Sequence, residues 1–198
     1  MADLVPQSPF ATFAPAAAGQ GLVVTDRDGL GIATILVRKG QDAALAARVR
    51  ETFGIDLPRN PRRAVSGGIA FCATGPETWL AVSERGGDAF VSTFKHTLRG
   101  VAGVVNQSDG YAVLRIAGPC VRETLAKGIP LDLDPRAFKV GDVATTVVSH
   151  IGLTLWRLDD RNGTAVFELM VARSLAASFW HWLSDSSAEF GMTIEATR

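Results

Sequence analysis

The two halves of the sequence show the same order of predicted elements, and this repetition limits the fold more than any other feature. In the first half, strands are predicted at 31–37, 69–73, 78–82 and 101–105, and helices at 44–53 and 88–98. In the second half, strands are predicted at 111–116, 143–149, 151–158 and 164–171, and helices at 121–126 and 174–190. The pattern predicts an α+β fold made of duplicated β-α-β-β-α-β-like units.

Two short sequence similarities support the duplication. Val49-Arg50-Glu51-Thr52 corresponds to Val121-Arg122-Glu123-Thr124, and Phe94-Lys95-His96-Thr97-Leu98 corresponds to Phe179-Trp180-His181-Trp182-Leu183. Both occur in the same order within matching element strings, which favours an internal repeat. We therefore expect an N-terminal arm, flexible or docked on a partner, at 1–27. A first α+β unit at 28–106 and a second at 107–198 should together form one compact module.

The charge balance disfavours two classes of partner. Lys plus Arg and Asp plus Glu each number 20, so the formal net charge is zero, which argues against binding to nucleic acid or to an anionic membrane. Hydrophobic residues make up 47% of the chain and charged residues only 20%, below the usual quarter. This apolar excess is expected to be buried at subunit contacts, and we expect an exposed apolar patch larger than a few hundred Å².

The cysteines and the N-terminus indicate a reducing compartment. Cys72 and Cys120 lie far apart, belong to no C-x-x-C motif and have no nearby histidine, so they are interpreted as buried small hydrophobic residues. The N-terminus has an early Asp3 and no basic segment typical of a signal sequence, and no apolar run is long enough to span a bilayer. We expect a cytoplasmic protein.

No group of residues in the sequence predicts catalysis. His96 and His181 fall opposite the apolar faces of their predicted helices, on the outer side, and His150 lies between two strands. The nucleophile motif G-x-S-x-G and the nucleotide-binding motifs G-x-G-x-x-G and G-x-x-x-x-G-K-[ST] are absent from the sequence. We therefore predict no catalytic, cofactor-binding or metal-binding residue.

Two carboxylate pairs are interpreted as turns. Asp132 and Asp134 flank Leu133, and Asp159 and Asp160 precede a predicted hairpin turn. Alternate carboxylates can also bind a cation weakly, and that alternative stays open here.

Five residues are candidate partner contacts. Arg59, Arg62 and Arg63 lie in a proline-stiffened loop that suits a carboxylate or phosphate ligand or an acidic patch on a partner, although a solvated loop explains them as well. Trp180 and Trp182 flank the apolar arc of the last predicted helix. Aromatic residues at such an edge are common at interfaces, and packing within the chain is the alternative.

The second half also carries a recognisable string of motifs. It begins with Gln107-Ser108-Asp109-Gly110-Tyr111-Ala112-Val113-Leu114-Arg115-Ile116-Ala117-Gly118-Pro119 and Leu125-Ala126-Lys127-Gly128-Ile129-Pro130-Leu131-Asp132-Leu133. It continues with Trp156-Arg157-Leu158-Asp159, Phe167-Glu168-Leu169 and Glu189-Phe190-Gly191. Over 106–191 this string resembles the gamma subunit family of heterotetrameric sarcosine oxidase. The first half resembles that family more loosely, through its size and element order.

The resemblance implies a fold related to the folate-binding part of the glycine cleavage aminomethyltransferases. It implies a non-catalytic gamma subunit that supports assembly of a complex. That complex would oxidatively demethylate sarcosine to glycine, with hydrogen peroxide and methylene-tetrahydrofolate or formaldehyde as products. The implied partners are an alpha subunit, as the main contact, and beta and delta subunits. FAD, FMN, NAD and tetrahydrofolate are implied in alpha and beta and zinc in delta, with no cofactor in this chain.

Two other functions stay open at this point. The implied fold and the arginine loop are compatible with a folate-binding or one-carbon-transfer protein of the aminomethyltransferase lineage. A scaffold subunit of another amine-oxidising complex is the second alternative. The sequence alone leaves open whether the chain has enzyme activity of its own.

Overall fold

The computed structural model describes residues 7–195. The first half contains β1 (Ala18–Asp26), β2 (Gly31–Val37), α1 (Asp42–Phe53), β3 (Arg63–Ser66), β4 (Ile69–Gly75), β5 (Thr78–Ser83), α2 (Asp88–Thr97) and β6 (Ala102–Asn106). The second half contains β7 (Tyr111–Ala117), α3 (Val121–Ala126), β8 (Val143–Val148), β9 (Ile151–Arg161), β10 (Thr164–Ala172), α4 (Ala176–Ser187) and β11 (Met192–Glu195). Every predicted helix and strand is present, which confirms the α+β class.

The elements form four layers. The N-terminal sheet has the order β3-β4-β5-β2-β6, and the C-terminal sheet has the order β11-β1-β7-β10-β9-β8. Helices α1 and α2 pack on one face of the N-terminal sheet, where Phe94 and Phe71 are buried together. Helices α3 and α4 pack on the C-terminal sheet, where Phe179 and Phe167 are buried. The third core lies between the sheets and contains Ile32, Cys72, Leu80, Val113, Trp156 and Met170.

The strand order shows the duplication directly. The run β3-β4-β5-β2 in the N-terminal sheet corresponds strand for strand to β8-β9-β10-β7 in the C-terminal sheet. Apart from β1, each half has the order β-α-β-β-β-α-β, so the order predicted for 28–106 and for 107–198 is one strand short in each case. The missing strands are β3, inside the predicted loop 56–68, and β11, after the last predicted helix. Both have four residues, too short for a clear alternation of apolar and polar side chains.

The prediction of an N-terminal arm at 1–27 is wrong for residues 18–26, and residues 1–6 lie outside the described residues. Strand β1 pairs antiparallel with β7 and parallel with β11, and its Leu22 and Val24 are fully buried. Gly19 and Gly21 reduced the strand signal because glycine has low strand propensity. Both glycines lie so close to Phe190 and Gly191 that a larger side chain would collide there. Residues 18–26 are therefore an integral strand of the C-terminal sheet.

Within residues 7–195, no helix is both long and apolar enough to cross a bilayer.

Candidate functional site

A buried carboxylate between the two sheets is the centre of the most distinctive polar site. Glu168, on β10, is only 4% exposed. Its direct cross-strand partners are Arg115 on β7 and Trp156 on β9. Directly paired residues project from the same face of a sheet, so all three side chains enter the layer between the sheets, where Trp156 is fully buried.

The Glu168 carboxylate accepts hydrogen bonds from three side chains. Trp156 Nε1 donates to Oε2 at 2.7 Å, while Arg115 Nη2 and Arg27 Nε donate to Oε1 at 2.7 and 3.0 Å. Both arginines also pair with Glu84, which follows β5 of the N-terminal sheet. We call these five residues the Glu168 cluster. Two cations and two anions balance, which offsets much of the free-energy cost of burying charge.

The electrostatics of the cluster favour fixed charges. Burial is the largest single influence on Arg27 and lowers its pKa, but hydrogen bonds and charge from Glu84 and Glu168 outweigh it, so the net pKa is raised. Arg27 therefore keeps its proton. A general acid or base needs a group that gains and loses a proton near neutral pH and faces a reactant. The cluster instead suits a structural role, because it joins residues of both sheets.

Sequence reasoning missed this cluster for a physical reason. Arg27 is 141 positions from Glu168, and Arg115 is 53 positions from it, so only the folded sheets bring the charges together. The one signal in the sequence is a glutamate inside the otherwise apolar run 165–171. A charged residue at such a position needs a buried partner, but the partner cannot be identified from spacing.

The three arginines of the predicted loop do not converge on one site. Arg62 Nη1 pairs with Asp142 Oδ1 at 2.5 Å, and its Nη2 donates to the carbonyl of Val140 at 2.9 Å. Arg63 lies in β3, and its backbone N–H donates to the Gly141 carbonyl at 2.7 Å. Both residues therefore contact the second half of the same chain.

Arg59 lies apart from the other two arginines. It is exposed and borders a groove of about 320 Å³ together with Asp42, Glu77 and Trp79. Trp79 is 7% exposed, and its Nε1 donates to the Pro58 carbonyl at 2.6 Å, which holds the loop against β5. The contact described for Arg63 is made by its backbone, so the side chains of both Arg59 and Arg63 stay candidate partner contacts.

For Trp180 the structure favours packing within the chain. Its side chain is 3% exposed, and its Nε1 donates to the Ala14 carbonyl at 3.1 Å. The rings of Phe10 and Phe13 lie 6.1 and 5.8 Å from the indole. Trp182 is partly exposed and stacks on Phe179 at 5.9 Å, so it stays a candidate partner contact.

The histidines and cysteines lie mainly where the sequence indicates. His96 and His181 are exposed on the outer sides of α2 and α4, and His150 is exposed in the turn between β8 and β9 with φ 72°. Both cysteines are free thiols: Cys72 is buried, whereas Cys120 is only partly buried. Burial raises the pKa of Cys72 to about 12.

The carboxylate pairs belong to local turns and ion pairs. Asp132 Oδ1 accepts the N–H of Asp134, and Asp134 Oδ1 accepts the N–H of Arg136, each at 2.9 Å. Hydrogen bonds from Arg136 hold the pKa of Asp134 below its usual range. Asp160 pairs with Arg157 at 2.8 Å. In the described part of the chain, no group of three or more His, Cys, Asp and Glu residues is arranged to hold a metal ion.

The architecture defines a class of protein. A crystal structure of the glycine cleavage system aminomethyltransferase T from Bartonella henselae matches 91% of this chain and 48% of its own, with a TM-score of 0.65. The sequence identity is 12%, so this likeness shows the fold alone. The chain therefore has the aminomethyltransferase type of fold, and the predicted structural relation is confirmed.

More specific comparisons identify the family. The model of the sarcosine oxidase gamma subunit family matches residues 38–189. Sarcosine oxidase subunit gamma of Corynebacterium sp. (strain P-1) is 29% identical over 147 residues, which cover 73% of this chain and 70% of that protein. Its counterpart from Arthrobacter sp is 30% identical over 151 residues, which cover 75% of this chain and 70% of that protein. This chain belongs to the sarcosine oxidase gamma subunit family, as the resemblance over 106–191 indicates.

A solved complex gives the same result at the level of structure. A chain of heterotetrameric sarcosine oxidase from Corynebacterium sp. U-96, in complex with pyrrole 2-carboxylate, is 26% identical with a TM-score of 0.80. The match covers 95% of this chain and 97% of that chain. The likeness therefore extends beyond the family match, to the region that contains β1 and Arg27.

Proposed function

We propose that this chain is the gamma subunit of a heterotetrameric sarcosine oxidase and that it acts there as a structural, non-catalytic subunit. The observation that carries this proposal is the family match over 38–189, together with the near-complete structural likeness to a chain of the solved heterotetramer. In this role the chain supports assembly of the complex, and its partners are the other subunits.

The Glu168 cluster supports a structural role. Its carboxylate already accepts from Trp156, Arg115 and Arg27, and both arginines are shared with Glu84. Because its charged groups pair with one another, the cluster is suited to holding the two sheets in a fixed position relative to each other. A fixed relation between the sheets is what a subunit needs if it presents a rigid surface to its neighbours.

The finer parts of the proposal follow from the family resemblance. The complex demethylates sarcosine oxidatively to glycine, with hydrogen peroxide and methylene-tetrahydrofolate or formaldehyde as products. The alpha subunit is the main contact of this chain, and beta and delta complete the complex. FAD, FMN, NAD and tetrahydrofolate belong to alpha and beta, and zinc belongs to delta. The free thiols of Cys72 and Cys120 fit a reducing, cytoplasmic location.

Assembly is the direct test of this proposal. The chain is co-expressed with the alpha, beta and delta subunits encoded in the same genome, and the mass of the purified complex is measured. We expect one complex containing all four chains, and a lower yield of active complex when this chain is omitted. A chain that stays monomeric, with peroxide production from sarcosine unchanged by its omission, would overturn the proposal.

The shared fold favours a second candidate function, which is folate binding in the manner of the aminomethyltransferase lineage. A pterin site needs an acidic residue free to bind the ligand, whereas Glu168 is engaged by three donors of its own chain. Titration calorimetry of the isolated chain with tetrahydrofolate separates the two functions. We expect no binding heat, and saturable one-to-one binding would support the second function.

A further inference from the structure

The outer edge of the N-terminal sheet differs from its counterpart in the C-terminal sheet. In the C-terminal sheet β1 lies next to β7, and β11 adds in parallel beyond it. In the N-terminal sheet β6 takes the position next to β2, and within residues 7–195 no strand follows it. In that part of the chain one sheet has six strands and the other five. The duplicated architecture thus accommodates one further strand at the position beyond β6.

The backbone of β6 can pair with such a strand. At the two ends of the ladder between β2 and β6, Gln107 N donates to Ile32 O at 2.8 Å and Arg38 N donates to Val101 O at 2.9 Å. Bonded pairs alternate along an antiparallel ladder, so the N–H and C=O of Val104 point away from β2. The strand has the sequence Ala-Gly-Val-Val-Asn. It lacks the charges and prolines that usually protect an exposed edge from pairing.

Apolar side chains accompany this open edge. Val105 is 48% exposed and Leu36 is 44% exposed. Val105 pairs with Thr34 and Gly103 pairs with Leu36, so Val105 and Leu36 lie on the same face of the sheet, in neighbouring strands. A Cβ atom added at Gly103 would contact nothing closer than the Leu36 carbonyl at 3.9 Å, so the space beside this pair is open.

Cations gather where β6 begins. The guanidinium of Arg48 donates to the carbonyls of Thr97 and Arg99 at 3.1 and 3.3 Å, and Arg38 is bonded through its backbone to the residue before β6. The side chains of Arg38 and Arg99 are exposed. In a chain of zero formal net charge, this local positive charge favours an acidic complement.

We propose that the β6 edge is the docking site for an extended segment of another subunit of the complex. This inference rests on the proposed function. The segment pairs its backbone with Val104, places aliphatic side chains on Leu36 and Val105, and carries acidic residues where it reaches Arg38 and Arg99. Addition of a strand to an open edge supplies backbone hydrogen bonds, while the side chains and charges select the partner.

A proline substitution tests the backbone pairing. Val104→Pro removes the outward N–H, and the ladder to β2 survives because it uses the neighbouring residues. Val104→Thr is the matched control, since it keeps the N–H and the β-branched shape. With the alpha, beta and delta subunits as the probe, we expect Val104→Pro to bind about tenfold more weakly, the equivalent of roughly one lost hydrogen bond, while its circular dichroism spectrum stays that of the wild type. Val104→Thr should bind as the wild type does.

Two further measurements do not depend on the proline variant. In the wild-type chain, hydrogen exchange at the Val104 amide should slow on assembly.

The double variant Arg38→Glu, Arg99→Glu should weaken assembly, whereas Lys139→Glu, on an exposed loop, should not. If the wild-type chain assembles but the Val104 amide is not protected, the docking site is overturned and the proposed function stands. If the chain pairs with a second copy of itself through β6, or does not assemble at all, the docking proposal also fails.

Discussion

The indole Nε1 of Trp156 donates to Glu168 Oε2 across 2.7 Å, between two directly paired residues of adjacent strands. This contact occupies one oxygen of the carboxylate, and the other oxygen accepts from Arg27 and Arg115. The relation explains how a chain with few charged residues tolerates a carboxylate in its interior. Each hydrogen-bonding position is supplied by a side chain from a different segment.

Glu168→Gln should destabilise the fold strongly. The substitution removes the negative charge that pairs Arg27, whose side chain is 10% exposed, and leaves part of a buried positive charge uncompensated. We expect a loss of about 3 kcal/mol in the free energy of unfolding, measured in urea. Glu84→Gln is the control, because the Glu84 side chain is 57% exposed, and it should cost less than about 1 kcal/mol. Equal effects of the two variants would refute the central role of Glu168.

Trp180→Phe should loosen the N-terminal segment without affecting assembly. The variant loses the hydrogen bond to the Ala14 carbonyl, and we expect a cost of about 1 kcal/mol in unfolding free energy. Limited proteolysis between residues 7 and 17 should become faster. Trp182→Phe, in the same helix, is the comparison and should leave that cleavage unchanged. A defect in assembly at unchanged stability would show that Trp180 contacts a partner instead.

The two cysteines should react at very different rates. Iodoacetamide should label the partly exposed Cys120 in the native protein and Cys72 only after unfolding, because burial raises the pKa of Cys72 to about 12 and excludes the reagent. Mass spectrometry of the labelled protein measures both sites. Equal native labelling of both thiols would contradict this expectation.

The buried thiol of Cys72 should make the free energy of unfolding depend on pH in the alkaline range. The folded state keeps the thiol proton up to a pKa of about 12, whereas the ordinary value is 9.0. Between these values the folded protein binds more protons than the unfolded chain, so this contribution to stability is complete below about pH 9 and falls as pH rises towards 12. Cys72→Ala should have a flatter stability curve than the wild type in that range. Parallel curves would contradict the assignment.

Arg62 and Asp142 should be only weakly coupled. Their salt bridge joins the residue before β3 to the residue before β8, but the Arg62 side chain is 49% exposed and solvent screens the pair. A double-mutant cycle of Arg62→Ala and Asp142→Ala should give a coupling below about 1 kcal/mol. Arg59→Ala should leave stability unchanged, so any loss of assembly in that variant would identify a partner contact.

Local signals explain which elements the sequence predicts well. The β4–β5 hairpin follows from two apolar runs around Thr74-Gly75-Pro76-Glu77, and the end of α1 follows from Gly54, which adopts φ 65°. Strand β1 has no comparable local signal. Its Leu22 and Val24 become informative only once β7 and β11 are in place on either side.

The candidate site depends still more on long-range structure. The histidines, cysteines and carboxylate pairs are candidates in the sequence because their residue types can bind metals or transfer protons. The fold leaves most of them on the surface or in turns. The role of Glu168 depends on strand register, because β7, β9 and β10 must align before Glu168, Arg115 and Trp156 come into contact. Spacing along the chain carries no information about such a meeting.

The position of β1 between β7 and β11 also sets an order of events during synthesis. Among the strands of residues 7–195, β1 is the first to be made, and its neighbours are β7, from the middle of the chain, and β11, the last of these strands. The five strands of the N-terminal sheet can pair as soon as residue 106 has emerged, whereas β1 must wait for β7, which ends at residue 117, and for β11, which ends at residue 195. A nascent chain of this kind leaves one edge of β1 unpaired until β11 has been made. The C-terminal sheet is therefore completed later than the N-terminal sheet, although its first strand is made before any strand of that sheet.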